Sequence, residues 1–125
     1  MNDSPARSIH FGRIAAMLPV ADIQRAHDFY TGVLGFSRTF QNGDPVGFMI
    51  LKRDNAELHL TLQKGHKAAP FNVIHMMVDN VDALHAICRA QGLRIIKGLK
   101  DKEYGLRAFV FEDFDGNRID VGQPL

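Results

Sequence analysis

The feature that most narrows the fold of this chain is that its pattern is written twice. Val20 and Val78 lie 58 residues apart, and Gly35 and Gly92 lie 57 apart. Each valine closes an apolar, strand-like segment: RIAAMLPV (13–20) in the first half and NVIHMMV (72–78) in the second. Each glycine stands where a helix should end. Asp22 caps the first helix, IQRAHDFYTGVL, which puts Ile23, Ala26, Tyr30 and Val33 on one face. Asn80 precedes the second, in which Val81, Leu84, Ile87 and Cys88 share a face. Three short strand candidates follow each helix: FSRTF, VGFMILK and ELHLTLQ, then LRIIK, RAFVFED and NRIDVG. The repeat is therefore a βαβββ unit used twice. A chain of 125 residues has room for one such pair and no second domain. This predicts an α+β single domain of two βαβββ modules, about 10–63 and 70–123.

Alternation along each strand assigns faces. In ELHLTLQ, Leu58, Leu60 and Leu62 point one way, while Glu57, His59, Thr61 and Gln63 point the other. In the first strand Ile14, Ala16, Leu18 and Val20 oppose Arg13, Ala15 and Met17. In the fifth, Ile74, Met76 and Val78 oppose Val73, His75 and Met77. In the last, Ile119 and Val121 oppose Arg118 and Asp120. Strands this apolar are covered on both faces, one by helices and the other across a concavity. Mixed apolar and polar walls of that kind suit a ligand. Asp is disfavoured in strands, yet Asp120 lies beyond the Asp115-Gly116-Asn117 turn in what reads as a strand. It has a counterpart in His59, 61 residues earlier in the final strand of the first module.

Composition removes several classes of function. The net charge of +1 gives no electrostatic case for nucleic acid. No apolar run approaches the ~20 residues that span a bilayer. Cys88 is the one cysteine, so no internal disulfide can form. The polar start, MNDSPARS, lacks the apolar core of a signal peptide, and together these features predict a cytoplasmic protein. GLKDKEYG (98–105) reads as a polar loop bordering the cleft entrance. No nucleophile motif, phosphate loop or Cys-x-x-Cys pair is present.

LPVADIQRAHDFYTGVLGF (18–36), VDNVDALHAICRAQGL (78–93) and FVFEDFDGNRIDVGQP (109–124) make the chain similar to the vicinal oxygen chelate superfamily. That superfamily includes glyoxalases, extradiol dioxygenases and bleomycin resistance proteins, and the ending is nearest the bleomycin resistance branch. The resemblance implies two modules forming a curved mixed sheet around a cleft, commonly in a homodimer. Metal-dependent members place ligands at positions that correspond here to Ala15, His59, Val73 and Asp120, with Glu57 the other candidate at the second. Ala15 and Val73 have no donor side chain, so the resemblance leaves His59 and Asp120 as the metal-ligand candidates.

Two functional expectations follow. The first is a binding protein with no cofactor and no catalytic residue, holding a small molecule such as an antibiotic in a dimer cleft. Its ligand-contacting residues would be His59, Asp120, His75, Met17, Met77, Glu57 and Phe109. Phe109 enters because the chain has no tryptophan, and with Phe111 and Tyr104 it supplies the aromatic faces. The alternative is a metal-dependent lyase, isomerase or dioxygenase. There His59 and Asp120 would hold zinc, iron, manganese or nickel, His75 would be a displaced third ligand or a general base, and Glu57 another base.

Overall fold

The computed structural model describes residues 5–125; residues 1–4, the start of the MNDSPARS stretch, lie outside the described residues. The polar caps set both helices. An oxygen of Asp22 accepts from the Arg25 backbone N–H at 3.0 Å and opens α1 (Ile23–Asp28). Asn80 Oδ1 accepts from Ala83 N–H at 3.1 Å and opens α2 (Val81–Ala90). Gly35 and Gly92, with φ of +74° and +70°, let the chain leave each helix through the left-handed region. One local difference from expectation lies in α1. Its continuation beyond Asp28, Phe29–Val33, widens into a π-turn in which Leu34 N–H reaches back to Phe29 O. Thr31 Oγ1 donates to His27 O at 2.7 Å there, competing with the regular helical ladder.

Before α1 runs β1 (Ala16–Val20). After it come β2 (Ser37–Gly43), β3 (Val46–Arg53) and β4 (Ala56–Leu62). The second module repeats this with β5 (Asn72–Met77), then α2, β6 (Ile95–Asp101), β7 (Leu106–Glu112) and β8 (Arg118–Pro124). Each module builds its own four-stranded mixed sheet, in the orders β1-β4-β3-β2 and β5-β8-β7-β6. First and last strands pair in parallel, and the others are antiparallel. The α+β class and the doubled βαβββ module are thus as the sequence implied. The GLKDKEYG stretch is not all loop: Lys100 and Asp101 continue β6 by pairing with Ala108 and Arg107.

The two modules share one core. Leu18, Val20, Leu58 and Leu60 from the first sheet join Phe109, Phe111, Ile119 and Val121 from the second, with Tyr30 and Cys88 of the helical segments between. At about 1.5–3 kcal/mol for each large side chain fully buried, this shared core is the main favourable contribution to folding.

Hydrogen bonds add a lock at the β7–β8 turn. Asn117 Nδ2 donates to Pro19 O at 2.9 Å, and Ala21 N–H donates to Asp115 Oδ1 at 2.8 Å. Buried Tyr30 donates its hydroxyl to Asp113 Oδ2 at 2.8 Å. Asp113 Oδ1 also accepts the backbone N–H groups of Asp115 and Asn117. The Asp-Gly-Asn turn therefore clamps the second module onto the first as well as reversing the chain.

Candidate ligand-binding face

Leucines at alternate positions fix β4. With Leu58 and Leu60 buried in the core, Glu57, His59 and Thr61 must emerge on the opposite, open face of the first sheet. Register sets Met17 of β1 and Ile50 of β3 on either side of His59. Met17 is 59% exposed, unusually open for a thioether at a strand centre. The Phe48 ring stands edge-on to the His59 imidazole with centroids 5.4 Å apart, and Phe40 lies edge-on to Phe48. Glu57 anchors the polar part of this wall. Its carboxylate receives Arg13 Nε at 2.8 Å and Nη2 at 3.2 Å, and it lies 2.7 Å from His59 Nε2. The hydrogen bonds from Arg13, then that from His59, hold the Glu57 carboxyl down at about 2. Ionised, Glu57 can only accept, so His59 donates through Nε2.

The second sheet presents a related face. Ile119 and Val121 are buried, which turns Asp120 outward, where register places it beside His75 of β5. His75 Nδ1 lies 2.7 Å from Asp120 Oδ2, and its Nε2 lies 3.2 Å from Met77 Sδ. Met77 is 47% exposed. Gly122 lies beside this pair: a Cβ there would meet Leu106 Cδ1 at 3.0 Å and make ordinary contacts with the Met77 sulfur at 3.5 Å and His75 at 3.6 Å. Asp120 thus pairs with a histidine across the sheet and not with Arg118 on its own strand. Arg118 donates to Pro70 O instead.

Of the residues singled out from the sequence, six fall on these open faces in two groups: Met17, Glu57 and His59 on the first sheet, and His75, Met77 and Asp120 on the second. Phe109 does not join them. It is 0% exposed and stacks on Phe111 in the core, with His85 edge-on at 5.0 Å. Pairing with Val121 turns Phe109 to the helix side, and Val110, which points the other way beside Asp120, is itself only 3% exposed. A fully covered ring offers no surface to a ligand, so Phe109 is withdrawn from the candidate contacts. Residues passed over are Phe48, whose place followed from the alternation in VGFMILK, and Arg13, whose bond to Glu57 spans 44 residues and leaves no local signal.

The donor set was tested against a metal. Ala15 and Val73 bring none, and each histidine is already held by a carboxylate of its own sheet. Among the described residues no group of three or more His, Cys, Asp or Glu side chains could hold a metal ion, short of the three protein ligands a catalytic site generally uses. Within one chain His59 and Asp120 do not fit a metal centre. What the faces can supply is an apolar, aromatic and thioether surface carrying two oriented imidazoles. Among the described residues no helix is long and apolar enough to cross a membrane.

Comparison with known proteins gives the family. The profile of the Glyoxalase/Bleomycin resistance protein/Dioxygenase superfamily matches residues 10–121, and the chain belongs to that superfamily. Similar solved structures include TnmS3, an antibiotic binding protein from a Streptomyces species, with 26% identity, 93% of this chain and 100% of that one covered, and a TM-score of 0.71. A bleomycin-binding protein complexed with bleomycin shares 23% identity over 92% of this chain and 100% of its own, with a TM-score of 0.75. The fosfomycin resistance protein FosX from Listeria monocytogenes shares 14% over 94% of each chain, with a TM-score of 0.78. No curated protein matches the chain.

Proposed function

We propose that this member of the superfamily is a small-molecule-binding protein that sequesters a ligand, an antibiotic being the leading class, in clefts completed by a second copy of the chain. The observation that carries the reading is the character of the two open faces. Each combines a half-exposed methionine with a histidine fixed by a carboxylate, and Phe48 adds an aromatic edge to the first. Thioethers and aromatic edges adapt to bulky, irregular organic molecules, and fixed imidazoles give them a polar foothold. Apolar side chains left half in water also favour being covered. The antibiotic binding of TnmS3 and the bleomycin binding of the bleomycin-binding protein support the same reading. The metal-dependent enzyme reading draws less support, because the donors come as two separate pairs.

The test is calorimetric titration of the full chain with a panel of antibiotics that includes bleomycin, alongside sedimentation equilibrium. A dimer binding one panel member, with affinity reduced roughly tenfold or more in His59→Ala at unchanged melting temperature, is the expected result. A chain that stays monomeric and is stabilised by no panel member would refute the proposal. Stoichiometric zinc, iron, manganese or nickel that is lost in His59→Ala would replace it with the enzyme reading.

A further inference from the structure

The doubled architecture is broken at one place. The β7–β8 turn, residues 113–117, reaches from the second module across α1 of the first. Its Phe114 ring meets Phe29 edge-on at 5.4 Å, and Phe29 is 3% exposed. The equivalent turn of the first module holds only Asp54 and Asn55, since Arg53 already pairs with Ala56. Two residues are too few to lay a side chain over α2. Ile87, which follows Phe29 by the 58-residue repeat, is accordingly 41% exposed. Where Phe114 covers one helix, an uncovered cavity of about 540 Å³ lies beside the other. Leu84, Ile87, Met76 and Val78 wall it on one side, and Val33 and Phe36 on the other.

The mouth of this cavity is acidic. Asp54 and Asp79 stand there, both exposed. The guanidinium of Arg53 is already engaged, donating from Nη1 to Leu34 O at 2.6 Å, with its Nε 3.8 Å from Asp54. The formal balance of these three groups is one negative charge. The volume falls within the range of small-molecule sites, and an apolar body with a few polar groups at the rim is their usual composition.

We infer that the cavity between α2 and the β3–β4 turn is a second binding site, for a small amphipathic cation whose apolar body lies against Leu84 and Ile87 and whose ammonium group faces Asp54 and Asp79. It draws on both modules, through Val33 and Phe36 of the first and Leu84 and Ile87 of the second, and shares only Met77 with the open faces. Carbon-13 methyl spectra of the full chain, titrated with octylammonium chloride, test it. Saturable shifts at the Ile87, Leu84 and Met76 methyls are expected, with the Met17 methyl unmoved. Octanoate, the same chain with the opposite charge, should bind roughly tenfold more weakly or worse. Ala83→Phe, an exposed position bordering the cavity, should abolish the shifts. Asp79→Asn, at an exposed position, should narrow the preference for the ammonium and keeps the test open should the bulkier variant fold poorly. The inference is overturned by an absence of shifts at about 10 mM ligand, where a millimolar site would be mostly filled. It is equally overturned by equal responses to the two chains, or by Ile87 and Leu84 shifts that follow protein concentration alone, which would make a second copy the occupant.

Discussion

Tyr30→Phe removes a single hydroxyl from the junction of the two modules, and its cost can be worked from the structure. Tyr30 is fully buried and donates to Asp113 at 2.8 Å. The ring keeps its edge contacts with Phe29 and Phe36, so packing is unchanged. A buried hydrogen bond to a charged group contributes about 1.5–3 kcal/mol. At neutral pH the variant should therefore lose about 2 kcal/mol, a fall in Tm of roughly 6–10 °C for a chain of this size. The loss should also depend on pH, with a definite sign. Burial raises the Asp113 carboxyl above its ordinary value, and the Tyr30 hydrogen bond is first among the contacts that oppose this. A carboxyl raised in the folded state takes up its proton on folding more readily than the unfolded chain does, so its drag on stability appears as pH rises through the folded value. Removing Tyr30 increases that drag where Asp113 is ionised and does little where it is protonated. Urea denaturation at neutral pH and near pH 4 measures both, with m unchanged between variants. A loss below about 0.5 kcal/mol at neutral pH, or one as large in acid, would refute the reasoning.

Arg13→Ala should let the Glu57 carboxyl rise from about 2 toward the ordinary glutamate value; carboxyl carbon-13 titration reads it, and a value still near 2 would remove Arg13 as the main cause. Because that carboxyl is depressed on folding, the stability it contributes is present above about 4.5 and is lost as pH falls toward 2; the variant should have a flatter acid limb in urea titrations. Gly116→Ala should cost about 1–2 kcal/mol or more: φ is +77°, and the new Cβ would meet Ala68 Cβ at 2.9 Å. An unchanged urea midpoint would contradict this. Cys88 is fully buried, and burial pushes its thiol up to about 12. Thiol reagents should therefore label it only as fast as the chain unfolds, and rapid labelling of the native protein would show that the core opens locally.

How far the sequence could be read depended on whether each signal was local. Caps and helix-ending glycines are local chemistry, and Asp22, Asn80, Gly35 and Gly92 each act as their types require. The leucines of β4 alternate with polar residues, so the phase of that strand, and with it the outward turn of Glu57 and His59, was legible. β7 carries no such marker. Ala108, Phe109, Val110 and Phe111 are all apolar, and only pairing with β8 decides which of them face the helices. Phe109, chosen for its ring alone, falls among the core residues. The partners of the site residues were illegible for a different reason. Arg13, ahead of β1, finds Glu57 44 residues away, and His75 finds Asp120 45 residues away across the parallel β5–β8 pair. The side chains were visible in the sequence, and the choice among possible partners came only with the register.

The β7–β8 clamp also bears on the order in which the chain can be completed. Tyr30, Ala21 and Pro19 find their partners 83, 94 and 98 residues downstream. A ribosome that has released only the first module has released a phenol, an amide and a carbonyl whose partners are still unmade. The apolar face of the first sheet likewise awaits Phe109, Phe111 and Val121. During synthesis the first half, although it contains a full βαβββ unit, lacks every one of these partners. The repeat that makes the two halves alike leaves the first one short of partners that only the final hairpin brings.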